Sequence, residues 1–336
     1  MSAADDEIAP LPSGLEEARS AFVALCGGVG GAKLASGLQH HLQDRLSLIV
    51  NVGDDFDHLG LRICPDIDTV LYTLSSLNDQ FRGWGRARET WNFMHALGQF
   101  GGDTWFQLGD LDLALHVVRT HRLGSGETLS AITADIAASL SIPARIIPAT
   151  DDRLRTKVVT PGQTLDFQRY FVEQQCRPRV EALRFEGADR ATVSTGAESS
   201  FADDTLAGIV ICPSNPYLSV DPILAIPRLR QLLRDRSVPA VAVSPIIGGK
   251  AIKGPTTKIM QELGVACTAA SIAKHYEGLV DGLIIDEADA EEAEGTSLPT
   301  LVTKTLMVDP RSRNELASRT LEFIQRLGGA RRIGPQ

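Results

Sequence analysis

Residues 21–55 carry the pattern that most restricts the fold. The apolar run AFVALC leads into the glycine-rich GGVGGAK, then the amphipathic AKLASGLQHHLQ, then a second apolar run, LSLIVNVGDD. Leu34, Leu38 and Leu42 recur every four residues, which is a helical period, whereas the flanking apolar runs have the length of buried strands. Strand, glycine turn, helix, strand is a βαβ unit, and such a unit requires a parallel sheet covered by helices. The same pattern returns at 206–235 and 238–264, with further strands expected in GLVDGLIIDEADA and TLVTKTLMV. The stretch between reads as helices over 83–142 and as strands or charged edge over 143–205. The expected fold is therefore α/β: a Rossmann-like, mostly parallel sheet flanked by helices. Residues 20–82 and 206–330 would form this core. Residues 83–205 would form an insertion, helical and then strand-rich, and 1–19 a mobile acidic tail.

The 336 residues suggest about two domains, or one large domain with an appendage, at roughly 150 residues each. A formal charge of −9 without a basic patch argues against a general nucleic-acid-binding role. No apolar run approaches the roughly 20 residues that span a bilayer, and the acidic start is unlike a signal peptide. A cytoplasmic protein without a membrane partner is expected. The five cysteines form no CxxC pair, so neither a zinc site nor a disulfide framework is indicated. Cys26 and Cys212 end apolar runs, where cysteine usually serves as a small buried hydrophobe.

GGVGGAK fits neither standard phosphate fingerprint, since GxGxxG would need glycine where Lys33 stands and a P-loop would need it at Ala32. Its physical content survives: glycines between strand and helix let backbone N–H groups approach a diphosphate at the helix N-terminus. Lys33 adds a positive charge. Just downstream, NVGDDFDHLGLRICPDIDT holds five aspartates: Asp54, Asp55, Asp57, Asp66 and Asp68. Ligands of open α/β sheets bind beyond the C-terminal strand ends, so Asp54 and Asp55 should face the crevice of the glycine turn. One acid there would suit a dinucleotide ribose. A Mg²⁺ ion, held by one or two carboxylates plus phosphate oxygens, accounts for more of the cluster. Helix caps and solvated loop charges are the plainer alternative, most of all for Asp57.

CPSNPYLSVDPIL would present Ser214 or Asn215 at the same edge, or merely start a helix capped by Ser219 or Asp221. SPIIGGKAIKGP brings Ser244, Gly248, Gly249, Lys250 and Lys253 there after the next strand. Trp84, between two glycines, is suited to stacking on a flat ligand, while Trp91 suits a core. Asp112 and His116 are four residues apart on a helical stretch, a spacing that fits a structural pair as well as a catalytic one.

In order along the chain, GGVGGAK, NVGDD, CPDIDTVLYTL, RGWGR, LGDLDLALHVVRT, PATDDRLRTKVVT, CPSNPYLSVDPIL and VSPIIGGKAIKGP resemble the 2-phospho-L-lactate transferase family of coenzyme F-420 biosynthesis. AKHYEGLVDGLIID extends the likeness towards residue 286. The resemblance implies transfer of a phospho-acid from a diphosphoguanosine donor to the ribityl hydroxyl of the deazaflavin Fo, with release of GMP. It also implies Mg²⁺ and a homodimer. By motif, Gly28, Val29, Gly30 and Gly31 would cradle donor phosphates with Lys33. Ser214, Asn215, Ser244, Gly248 and Gly249 would face the guanosine end. Asp54, Asp66 and Asp68 would hold the metal, and Asp54, Asp55, Trp84 and Arg86 would meet Fo. Asp55 is the preferred residue to orient or deprotonate the hydroxyl. LGDLDLALH departs from the usual GDRDLATH at Leu111 and Leu115. Two rival readings are a nucleotide-sugar-binding regulator of the same fold and an NAD-dependent oxidoreductase; the first is opposed by CPSNPYLSVDP, the second by the failed GxGxxG.

Overall fold

The computed structural model describes residues 20–252 and 254–333; the segment 1–19, read above as a tail, and Lys253 lie outside the described residues. β1 (Ala21–Cys26) leads through α1 (Gly28–Leu42) to β2 (Leu46–Val50). A small hairpin of β3 (Phe56–His58) and β4 (Leu61–Ile63) precedes α2 (Pro65–Leu74), α3 (Asn92–Gln99), α4 (Asp110–Gly124) and α5 (Leu129–Ser139). β5 (Arg145–Pro148) follows, then β6 (Arg155–Thr160), β7 (Gln163–Asp166), β8 (Ala182–Glu186) and α6 (Thr195–Phe201). The second half runs β9 (Leu206–Ile211), α7 (Asp221–Leu224), α8 (Pro227–Arg234) and β10 (Ala240–Val243). A ribbon of β11 (Ile246–Ile247) and β12 (Lys250–Ala251) precedes α9 (Thr256–Glu262), α10 (Ala269–His275), β13 (Gly282–Ile285), β14 (Thr300–Val302) and α11 (Pro310–Ile333).

Seven strands make one sheet in the order β14-β13-β10-β9-β1-β2-β5, and every neighbouring pair is parallel. Successive strands step outward from β1 in one direction and from β9 in the other. The chain therefore reverses its order between β1 and β9, and the loops leaving these two strands part to open a crevice. The central strands are buried along almost their whole length, as they must be where helices cover both faces. One boundary read from sequence is corrected. Residues 145–148 fall inside the expected insertion, yet β5 completes the central sheet beside β2, with Ile146 opposite Leu48. Composition marks this run as a strand but cannot say which sheet it joins after a long helical excursion. The antiparallel β6, β7 and β8 form a separate three-stranded sheet.

The glycine cluster is also placed differently from the expected turn, because α1 already begins at Gly28. Close packing explains the composition. A Cβ on Gly30 would lie 2.4 Å from the Pro213 carbonyl oxygen, and one on Gly31 would lie 2.3 Å from Ser214 Oγ. These glycines let the first turn of α1 press against the loop after β9, across the point where the sheet reverses. Further along α1, a Cβ on Gly37 would come within 2.3 Å of the Arg313 carbonyl oxygen in α11.

Gly37→Ala tests that contact. Alanine gains up to about 1 kcal/mol in helix propensity, whereas overpacking costs about 1–3 kcal/mol, so net destabilisation is expected. A urea midpoint at or above that of the parent would show that α1 and α11 do not approach so closely.

Candidate active site

A cleft of about 610 Å³ opens at the C-terminal edge of the sheet, over the reversal point. Such a volume is in the range of small-molecule sites. Of the residues singled out by sequence, Gly28, Val29, Gly30, Lys33, Asp54, Asp66, Asp68, Trp84, Ser214, Asn215 and Ser244 line it. Gly31, Asp55, Arg86, Gly248 and Gly249 do not.

Within its lining lies a buried carboxylate pair, Asp54 and Asp66. Asn51, wholly buried at the end of β2, donates its Nδ2 to Asp54 Oδ1 (3.2 Å), to Asp66 Oδ2 (2.9 Å) and to the Leu218 carbonyl (3.2 Å). Its Oδ1 accepts the Gly53 N–H at 2.7 Å, which fixes the amide's orientation and the turn leading to Asp54. Asp66, in the first turn of α2, also accepts the Gly28 N–H at 2.6 Å. It thus occupies one of the donor positions at the α1 N-terminus, where a carboxylate is favoured. Gly27 is small for this reason: a Cβ there would sit 2.4 Å from Asp66 Oδ2. Burial, then the neighbouring Asp66 charge, pushes the Asp54 carboxyl well above its ordinary range. Burial lifts Asp66 to about 6 despite hydrogen bonds from Asn51 and Gly28.

The other acids have different duties. Asp55 is buried behind the cleft wall, where burial raises it to about 7 against the pull of Cys64 and the Arg155, Arg119 and Arg62 charges. That placement removes it from direct contact with a ligand in the cleft. Asp57 is exposed and pairs with Arg62 at 2.7 Å. Asp68 reaches the cleft, but both its oxygens accept from the buried Arg119 guanidinium of α4. Its charge is already neutralised, which leaves Asp54 and Asp66 as the pair without a cationic hydrogen-bond donor. In the LGDLD motif, Asp110 caps α3 by accepting the Asn92 and Phe93 N–H groups. Asp112 instead lines the cleft beside Tyr72 and His116. Leu111 is exposed and off the cleft lining.

The loops at the crevice are braced mainly by their own hydrogen bonds. Ser214 Oγ accepts the Gly27 N–H at 3.2 Å. Asn215 Oδ1 caps the wide turn Pro216–Val220 by accepting from Tyr217 and Leu218. Ser244 Oγ accepts the Ile246 N–H at 3.1 Å. Gly248 and Gly249, both at positive φ, aim their N–H groups at the Asp289 carboxylate (3.0 and 2.9 Å), so this small anion-binding concavity already holds an internal anion. Lys33 Nζ donates to the Met307 carbonyl at 2.7 Å and ties α1 to the segment after β14. Part of the cleft wall is aromatic. Trp84 is half exposed and meets Trp91 edge-on, while Phe106, Phe167 and Phe171 complete the surface. Arg86 is bridged to Asn78 nearby. Sequence reading missed Asn51, Tyr72 and the phenylalanines; only the "N" of NVGDD, at a strand end, carried a signal for the first.

Among the described residues, no three His, Cys, Asp or Glu side chains group as a metal set. Mg²⁺ does not need one, since it takes one or two carboxylates and completes its shell with water and phosphate oxygens. Asp54 and Asp66, buried together and reached by the neutral donors of Asn51 and Gly28, fit that type of ion.

The pair has a measurable consequence. A carboxyl raised in the folded state makes the protein most stable below the unfolded pKa, near 4, and less stable as pH rises through the folded value, here about 6 for Asp66. Asp54→Asn and Asp66→Asn are isosteric and remove this penalty. Each should raise the melting temperature of the ligand-free protein at pH 7.5 by roughly 2–4 °C, and Asp66→Asn should flatten the profile between pH 4 and 6. A lower melting temperature at pH 7.5 than at pH 4 for the parent, unchanged in both variants, would place the strain elsewhere.

A family model described as "2-phospho-L-lactate transferase CofD" matches residues 22–324. The phosphoenolpyruvate transferase of Streptomyces griseus is 37% identical over 314 residues, covering 90% of this chain and 98% of that protein. The phosphoenolpyruvate transferase of Mycobacterium tuberculosis is 37% identical over 318 residues, covering 87% and 95%. Two crystal structures of a Bacillus halodurans protein, one described as a UPF0052 family member, have TM-scores of 0.57 and 0.60 at 15% identity. They cover 92% and 91% of this chain and 99% and 100% of theirs, a likeness that shows the fold alone. With a family match across nearly the whole chain and relatives matched almost end to end, the chain belongs to the 2-phospho-L-lactate transferase CofD family and is a transferase.

Proposed function

We propose that the protein transfers a phospho-acid group from a diphosphoguanosine donor to the terminal ribityl hydroxyl of the deazaflavin Fo in coenzyme F-420 biosynthesis. The observation that carries this reading is the cleft itself, which gathers a helix N-terminus, a buried carboxylate pair met by neutral donors and an aromatic wall. The relatives' name, phosphoenolpyruvate transferase, favours an enolpyruvyl-phosphate group over a lactyl one. The hydroxyl oxygen attacks the phosphorus of the phospho-acid, the bridging P–O bond breaks, and GMP leaves with the bridging oxygen. Such transfers depend on positioning and charge neutralisation more than on covalent help from the protein. The α1 N-terminus would face the diphosphate, with Lys33 beside it. Mg²⁺ held by Asp54 and Asp66 would neutralise charge gathering on the phosphate oxygens. Asp54 keeps Oδ2 outside the Asn51 bond, so it replaces Asp55 as the residue proposed to receive the hydroxyl proton. Stacking on Trp84 would seat the deazaflavin ring, and the homodimer expected by family resemblance is retained as part of this reading.

Fluorescence titration of Fo, with GDP and Mg²⁺ present or absent, checks the assignment. Saturable binding weakened roughly tenfold by Trp84→Ala is expected, together with loss of GMP release in Asp54→Asn. A thermal shift with a UDP-sugar or NAD, and none with GDP or Fo, would overturn it.

A further inference from the structure

Part of the cleft lining is built from polar side chains, Asp68, Tyr72, Asp112 and His116, to which the functional reading gives no part in handling the donor phosphates. The series begins at Arg119, fully buried in α4, whose terminal nitrogens both bond Asp68. Arg119 Nη1 also lies 3.4 Å from His116 Nδ1. A guanidinium only donates, so in the neutral imidazole Nδ1 is the acceptor at this contact and Nε2 carries the proton. Nε2 lies 3.2 Å from Asp112 Oδ2, close although out of line for an ideal hydrogen bond. The other carboxylate oxygen, Asp112 Oδ1, accepts a short hydrogen bond from the Tyr72 hydroxyl. Burial alone would raise the Asp112 carboxyl, but His116 and Tyr72 outweigh it and hold it below the ordinary range, so the acceptor at this point is a carboxylate.

The last link, from the Tyr72 hydroxyl to Asp112, has a direction that matters for binding. Tyr72 is 3% exposed and lines the cleft. Its single proton is committed to Asp112, so its oxygen can offer a ligand only lone pairs. A phosphate or carboxylate oxygen, having no proton to give near neutral pH, is repelled by such a position. An alcohol can donate to it. We propose that Tyr72, oriented by the Arg119–Asp68–His116–Asp112 series, is the acceptor-only contact for a hydroxyl on the polyol chain of the substrate that receives the transferred group, and so a determinant of specificity for polyol-bearing acceptors. Asp112 and His116 are positioning residues in this scheme. The inference rests on the functional reading above, in which that acceptor is Fo.

Tyr72→Phe keeps the ring and deletes only the oxygen, and a ligand analogue completes the cycle: a deazaflavin carrying an N-alkyl chain in place of the hydroxylated one. Dissociation constants are measured for Fo and for the analogue with both proteins, in GDP and Mg²⁺. Tyr72→Phe should weaken Fo about tenfold, the loss expected for a hydrogen bond to a strongly polarised group. It should leave the analogue and GDP within about twofold, the range of an unperturbed site. Asp112→Asn should show the same split more weakly, raising the acceptor KM and sparing the donor KM. Equal weakening of Fo and analogue, or no weakening of either, overturns the role of Tyr72 while leaving the functional reading intact. Failure of the parent protein to bind Fo while it binds GDP overturns the acceptor assignment itself, and this inference with it.

Discussion

The bridge Asp54–Asn51–Asp66 is the constraint around which the site is built. Burying two carboxylates side by side is unfavourable unless donors and a counter-charge meet them. The fold supplies neutral donors: one amide that reaches both acids and the first free N–H of α1. Room for this arrangement comes from Gly27, which has no side chain where Asp66 must pass. Positive charge is what these donors lack. A pocket tuned in this way has stability held back from the ligand-free protein and released when a cation or a proton arrives, which is a common relation between stability and activity.

The same parts fix the geometry of the crevice. The parallel sheet reverses between β1 and β9, so the loop after β9 must lie beside the start of α1. Gly30 and Gly31 bring that loop into contact with the helix backbone, and Ser214 closes the gap by accepting from Gly27. The aromatic lining comes from the segment after β7 (Phe167, Phe171), the link between α3 and α4 (Phe106) and the chain between α2 and α3 (Trp84). Glu89 anchors that section by accepting the Leu111 and Asp112 N–H groups at the start of α4.

Electrostatics sorts the acids by partner. Asp68 and Arg119 form a buried pair in which removing either member would strand a charge, a loss on the order of 3–5 kcal/mol. That pair is therefore part of the scaffold even though Asp68 touches the cleft. Asp110 is spent on a helix cap, Asp57 on a surface ion pair, and Asp289 on the Gly248–Gly249 concavity. Among the aspartates lining the cleft, Asp54 and Asp66 form the adjacent pair met by neutral donors, and Asp112 is left to direct Tyr72.

How much could be read in advance depends on the range of the interactions. Period and composition between residues 21 and 55 determine the βαβ unit, the parallel class of the sheet and the presence of glycines at its edge, because those signals are local. NVGDD likewise brings acids to the crevice, since it follows β2 of that sheet, whereas CPDIDT follows the separate β3–β4 hairpin and reaches the crevice only through the placement of α2. Which acid does what was decided by tertiary structure. Arg119 neutralises Asp68 from 51 residues away, and Gly28 meets Asp66 from 38 away. β5 joins the central sheet only because β2 leaves an open edge for it. The sequence by itself determined a helix-covered parallel sheet with acids and glycines at one edge. Tertiary structure alone chose the two carboxylates that stay uncompensated there, because charge neutralisation depends on neighbours in space and leaves no local pattern along the chain.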